Sequence, residues 1–243
     1  MESKEDESKH DVFSDPSANA PAHLAPSNMT KLSDKFSSME TAHVPKLVLR
    51  SKVIIVGDSC VGKSALAQMF HSGGHMYPKN YVMTVGVDFL VREVQIPDTN
   101  ATVELYMFDC AGQSIFNQRQ MAEKLWENGS YVIVVYDVSS RASFQSAAKW
   151  LSSVRAIRPN SGGGPLPGLL VANKIDLREG GINSRAEVDS QEGLNFAQNN
   201  KLEYFECSAL TGRDVERPFN FIASQYHMSY ESTVRRANAP QNY

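Results

Sequence analysis

Gly57-Asp58-Ser59-Cys60-Val61-Gly62-Lys63-Ser64 fits the pattern G-x-x-x-x-G-K-[ST], whose chemistry is the capture of a polyphosphate. The two glycines let the backbone bend close to an anion, and successive N–H groups from Val61 to Ala65 point at it. A helix starting there adds roughly half a positive charge at its N-terminus. Lys63 supplies a point charge to the β and γ phosphates, and the Ser64 hydroxyl is placed to ligate Mg²⁺. Ser59, Cys60, Val61, Gly62, Lys63, Ser64 and Ala65 are therefore the expected phosphate contacts.

Further short motifs follow. Asp109-Cys110-Ala111-Gly112 ends a strand-like run, where the second metal-side carboxylate of such a site belongs, and Asp109 takes that role. Asn173-Lys174-Ile175-Asp176 follows an apolar LLVA run. The Asp176 carboxylate can accept paired hydrogen bonds from guanine N1–H and N2–H, donors that adenine lacks in that geometry. A backbone N–H at Ser208-Ala209, just before Leu210, would meet guanine O6. Each motif alone is compatible with a plain strand-end turn. In this order, at successive strand C-termini, they occupy the place where open α/β sheets bind ligands. GTP or GDP with Mg²⁺ is the expected ligand set.

The elements that must position these residues are legible as short β-branched runs: 53–56, 85–96, 102–108, 131–137, 169–173 and 204–208. Helical periodicity is read over 64–71, 118–126, 143–155, 185–199 and 215–226. Strand and helix alternate, which predicts an α/β fold with a six-stranded, mostly parallel sheet and helices on both faces. Only PDTNA separates the second and third strand runs, too short for a crossover, so these form an antiparallel hairpin at one edge. The glycine- and proline-rich stretch 158–168 reads as a surface excursion.

With these motifs in place, residues 47–230 resemble the small GTPases of the Ras and Rab superfamily, which implies their P-loop NTPase fold. The run Tyr81-Val82-Met83-Thr84-Val85-Gly86-Val87-Asp88-Phe89 looks like the Rab form of the switch that senses γ-phosphate. The resemblance implies that Thr84 closes on Mg²⁺ and γ-phosphate with GTP bound and is released with GDP. It places Tyr77 beside the guanine base, although plain loop packing explains that tyrosine equally well. It gives Gln113 the task of orienting the attacking water, with the Gly112 N–H on the γ-phosphate; the alternative is a merely polar loop residue. Catalysis would thus rest on Gln113, Lys63 and Thr84, and the metal on Ser64, Thr84 and Asp109. No arginine finger is identifiable in cis, and its lack can be worth up to about 10⁵ in rate, so slow intrinsic hydrolysis is expected.

The chain departs from ordinary Rabs at several points. Gln113 is followed by Ser-Ile-Phe, Phe108 stands where tryptophan is usual, and Leu210 replaces the lysine of the S-A-K motif. No cysteine follows Cys207, so attachment by its own prenyl group is not expected. Together with PDTNATVELYMFDCAG and KLWENG, these features most resemble the Rab-like GTPase subunits of the intraflagellar transport B complex. That implies ciliary or flagellar work from a cytoplasmic pool, a small β-sandwich partner subunit, other subunits of the complex, and effectors or a GTPase-activating protein. A vesicle-trafficking regulator and a nucleotide-holding scaffold without a functional cycle are the alternatives.

Composition agrees with one core plus extensions. The 24 Lys and Arg against 27 Asp and Glu exclude a strongly basic nucleic-acid binder. Residues 1–46 hold eight acids, five bases and few large apolar residues, and read as a disordered tail. Residues 231–243 read as a flexible C-terminal tail. His71 and His75 flank two glycines and read as a loop pair, not a metal site. Cys60, Cys110 and Cys207 lack C-x-x-C spacing and are expected to be reduced and packed, with redox sensing the less favoured use. In the last helix Phe219, Ile222, Ala223 and Tyr226 form the core stripe. Phe221 and Met228 fall outside it and mark either a docking face, continued over Ser229 to Arg236, or ordinary exposed apolar residues.

Overall fold

A computed structural model describes residues 46–80, 82–112, 124–157, 165–179 and 184–239, all within the unit Pro45–Tyr243. The strands are β1 (Leu47–Val56), β2 (Val87–Gln95), β3 (Ala101–Cys110), β4 (Tyr131–Asp137), β5 (Gly168–Asn173) and β6 (Glu203–Glu206). The helices among the described residues are α1 (Lys63–His71), α2 (Arg141–Ile157), α3 (Ser190–Asn199) and α4 (Glu216–Ala237). A 3₁₀ turn spans Ile175–Arg178, and residues 124–126 are helical.

The sheet order is β2-β3-β1-β4-β5-β6. Only β2 and β3 pair antiparallel, from Val87 opposite Cys110 to Gln95 opposite Thr102; the other pairs are parallel. The expected six-stranded sheet with one edge hairpin is therefore present. The apolar second half of β1 (residues 53–56), together with β4 and β5, is buried on both faces, as central parallel strands must be. Val53 and Ile55 face Leu66 and Phe70 of α1 and Phe219 and Ile222 of α4. Ile54 and Val56 face the opposite layer, built from Trp150 and Leu151 of α2 and Ala197 of α3.

Several boundaries differ from the sequence reading, each for a local reason. The helix read from 185 begins at Ser190, because Asp189 caps it by accepting the Glu192 N–H at 2.8 Å. The preceding residues bond elsewhere: the Glu187 and Val188 amides both donate to Val138 O. The last helix, read over 215–226, runs on to Ala237 and so enters the stretch 231–243 read as a tail. Within it, Phe221 is not a free docking residue; it is half buried and packs on Phe205 of β6 with ring centroids 5.5 Å apart. Met228, by contrast, is 58% exposed. Residues 1–45, 81, 113–123, 158–164, 180–183 and 240–243 lie outside the described residues, and with them most of the expected tail, helix 118–126 and excursion, and Tyr81 of the expected switch run.

Candidate functional site

Order 2-3-1-4-5-6 makes β1 the strand at which the connections diverge, the usual ligand crevice of an open α/β sheet. Gly57 follows the last residue of β1, and the phosphate motif wraps into α1 at Lys63. Gly62 takes φ +94°, and a Cβ there would lie 2.3 Å from Asn173 Nδ2, so the loop closes only with glycine. Lys63 is buried, and its Nζ donates to Gly57 O at 2.9 Å and Asp58 O at 2.8 Å.

Three oxygen donors converge beside Lys63. Ser64 Oγ donates to Asp109 Oδ2 at 2.5 Å and lies 2.9 Å from Thr84 Oγ1. Thr84 Oγ1 is 3.4 Å from the same carboxylate oxygen. Asp109 is buried, and its Oδ1 has no hydrogen-bond partner among the described residues. Burial pushes the Asp109 pKa up and the Lys63 pKa down, outweighing the attraction between the two charges. Hard oxygen donors, one with an unsatisfied buried lone-pair set, fit a magnesium ion. A metal and a polyphosphate would supply the counter-charges that burial withholds here. Thr84 is half buried between the strongly exposed Met83 and Val85.

The far side of the loop is fixed by the guanine motif. Asn173 Nδ2 donates to Val61 O at 2.8 Å, and Asn173 Oδ1 accepts the Ala209 N–H at 3.1 Å. One buried side chain therefore staples the loop at Val61 to the turn at Ala209, and the Ala209 amide, expected to meet guanine O6, is hydrogen-bonded to Asn173. Lys174, in the left-handed region at φ 66°, reaches Cys60 O at 2.8 Å and Asp137 Oδ2 at 2.7 Å. Asp176 accepts the Ser208 hydroxyl at 2.5 Å, which orients its carboxylate. Leu210, in the last of these turns, and Tyr77, in the segment after α1, are both exposed.

Gly112 packs onto the phosphate loop from the switch side: a Cβ there would lie 2.3 Å from Ser59 N. Gln113, its neighbour, lies outside the described residues. The cysteines divide: Cys110 and Cys207 are buried packing residues as expected, whereas Cys60 is exposed in the loop, at φ 64°. His71 Nδ1 lies 3.0 Å from Val91 O, and no group of residues that could hold a metal through His, Cys, Asp and Glu alone is found among the described residues.

Two participants escaped the sequence reading. Asp137 at the end of β4 sits at a strand C-terminus like the assigned motifs, a signal that was available in the sequence. Trp150 donates its indole N–H to Asp58 Oδ1 at 2.8 Å, and nothing in a helical apolar stripe marks that bond.

Comparison with known proteins is consistent with this geometry. The model of the Ras family matches residues 52–235. The chain is 42% identical over 186 residues to the Homo sapiens protein named intraflagellar transport protein 27 homolog, covering 76% of this chain and 95% of that one. It is 39% identical over 197 residues to intraflagellar transport protein 27 of Chlamydomonas reinhardtii, covering 80% and 93% of the two chains. A Theileria parva Ras-related protein Rab-1 is 33% identical over 190 residues, covering 78% and 79%. The chain belongs to the Ras family, as a Rab-like small GTPase.

Proposed function

We propose that this chain is a guanine-nucleotide switch with slow intrinsic GTP hydrolysis, working as a subunit of the intraflagellar transport B complex. The observation that carries the switch is the meeting of Ser64 and Thr84 at Asp109 Oδ2, while the other oxygen of that buried carboxylate, Oδ1, has no partner among the described residues. The transport role rests on the likeness to proteins named for intraflagellar transport.

In this reading Ser64, Thr84 and Asp109 hold the magnesium ion, which when bound neutralises charge on the β and γ phosphates. Lys63 turns its ammonium from the two loop carbonyls to those phosphates. Thr84 is the residue that leaves when the γ-phosphate is lost, since exposed neighbours give that segment little packing of its own. Gly112 presents its N–H to the γ-phosphate and Gln113 orients the attacking water. Asp176 reads guanine, while Asn173 and Ser208 keep its loop in register with the phosphate loop.

Partner contact is assigned to the distal part of α4, where Met228, Tyr230 and Val234 are exposed, with a small β-sandwich subunit as the partner. Native purification with identification of bound nucleotide and bound subunits tests the whole reading. GTP or GDP in the protein, together with transport-complex subunits, is the expected result. Lys63→Ala and Ser64→Asn should each lower nucleotide occupancy, and full retention in both would remove the phosphate assignment. Gln113→Leu should slow single-turnover GTP cleavage without weakening binding. Met228→Glu should reduce recovery of the partner subunit.

A further inference from the structure

Behind the base-binding loops lies a polar cluster that the nucleotide motifs do not include. Arg178, the last residue of the 3₁₀ turn, donates from Nη1 to Glu206 Oε1 at 2.5 Å and to Ser190 Oγ at 3.0 Å, and from Nη2 to Val188 O at 3.1 Å. Tyr204 donates its hydroxyl to the same Glu206 oxygen at 2.7 Å and lies 3.2 Å from the Tyr136 hydroxyl. The ion pair is sheltered, its side chains retaining 19% and 30% exposure for Arg178 and Glu206. The N-terminal turn of α3 closes over the tyrosines, since a Cβ on Gly193 would lie 2.5 Å from one hydroxyl and 2.6 Å from the other.

The placement of this cluster in the chain is what gives it a role. Arg178 is two residues beyond Asp176, and Glu206 is two residues before Ser208. The loops bearing Asp176 and Ser208 leave different strands, and the Ser208–Asp176 hydrogen bond that joins them is short and exacting in geometry. A forked guanidinium satisfying acceptors on β6, on α3 and on the segment before α3 fixes direction as well as distance, which a point charge cannot do.

We infer that Arg178 and Glu206 are positioning residues that set guanine selectivity by holding the Asp176 loop against the Ser208 loop. This rests on the guanine-nucleotide reading above. They touch no base; they act through Asp176, whose carboxylate distinguishes guanine by its N2 amino group.

The test compares dissociation of a fluorescent GDP analogue, and competition by GDP and by IDP, which lacks that amino group, in the full chain and its variants. Wild type is expected to prefer GDP. Arg178→Met should release GDP at least tenfold faster and shrink the GDP-over-IDP preference by a similar factor, a change that loss of stability alone would not produce. Arg178→Lys, which keeps the charge but not the fork, should fall between the two. If Arg178→Met does not fold, Glu206→Gln decides, with a severalfold loss of preference expected. Unchanged preference in a folded Arg178→Met, or in Glu206→Gln where that variant decides, overturns the inference. A wild type that binds neither nucleotide overturns instead the functional reading on which it rests.

Discussion

The Trp150 indole N–H donates to Asp58 Oδ1 at 2.8 Å, so a helix that supplies no nucleotide motif holds the phosphate loop from behind. The Asp58 carbonyl meanwhile accepts Lys63 Nζ, and Gly112 presses on the adjoining peptide. Trp150→Phe keeps most of the buried ring and deletes the donor. It should cost about 1 kcal/mol of stability, read from chemical unfolding, and speed GDP release severalfold. Release at the wild-type rate would show that the bond does not constrain the loop.

Gly112→Ala should impair the γ-phosphate side more than the rest of the site. The added methyl would collide with the Ser59 amide and the Asp58 carbonyl carbon, rigid backbone that cannot swing aside. Affinity for a non-hydrolysable GTP analogue is expected to fall at least tenfold, with a smaller fall for GDP. Equal affinities in variant and parent would contradict this packing.

Phe70 and Phe219 stack at 4.0 Å between centroids, fully buried, and join α1 to α4. Arg92 caps the pair, 4.3 Å from the Phe70 ring, while donating to Glu216 at 2.9 Å. Phe219→Ala should destabilise by about 3–5 kcal/mol in urea unfolding, since little of the cavity can collapse between a helix and a sheet. A loss below about 1 kcal/mol would mean that α4 is not anchored by this stack.

Thiol reactivity should divide the cysteines. In the folded nucleotide-free protein a disulfide reagent is expected to modify Cys60 alone, and bound nucleotide should protect it. Burial pushes the Cys110 thiol up to about 11 and raises Cys207 as well. Both therefore keep their protons in the folded state at pH values where the unfolded chain has lost them. Their contribution to stability is whole below about pH 9 and is lost as pH rises from there through the folded values. Unfolding curves between pH 8 and 10.5 should show this slope, and the double variant Cys110→Ala, Cys207→Ala should flatten it.

The motifs were readable because anion capture, metal ligation and guanine recognition each demand particular residue types at fixed spacing. Gly62, Lys63, Ser64, Asp109, Asn173 and Asp176 needed no tertiary information to be picked out. The edge hairpin was equally plain, since five residues cannot cross a sheet. Other features were hidden because their signal is not local. Asn173 reads as part of a guanine motif, yet its bonds are to the phosphate loop and to Ala209, partners distant in sequence. Phe221 looked free on a helical wheel, but β6 ends where its ring can reach Phe205. Cys60 looked like packing, and the left-handed turn of the loop turned it outward.

The amino-acid sequence by itself determined the strand and helix alternation, the place of each phosphate and base motif at a strand end, and the kind of ligand those motifs suit. Each follows from short-range geometry: period, spacing and donor type. Only the tertiary structure decided which side chains hold those motifs in register. Trp150 on Asp58, Asp137 on Lys174 and Arg178 on Glu206 join residues far apart in the chain. Such pairs exist only once the parallel sheet brings its C-terminal ends together, and no spacing along one strand can announce them.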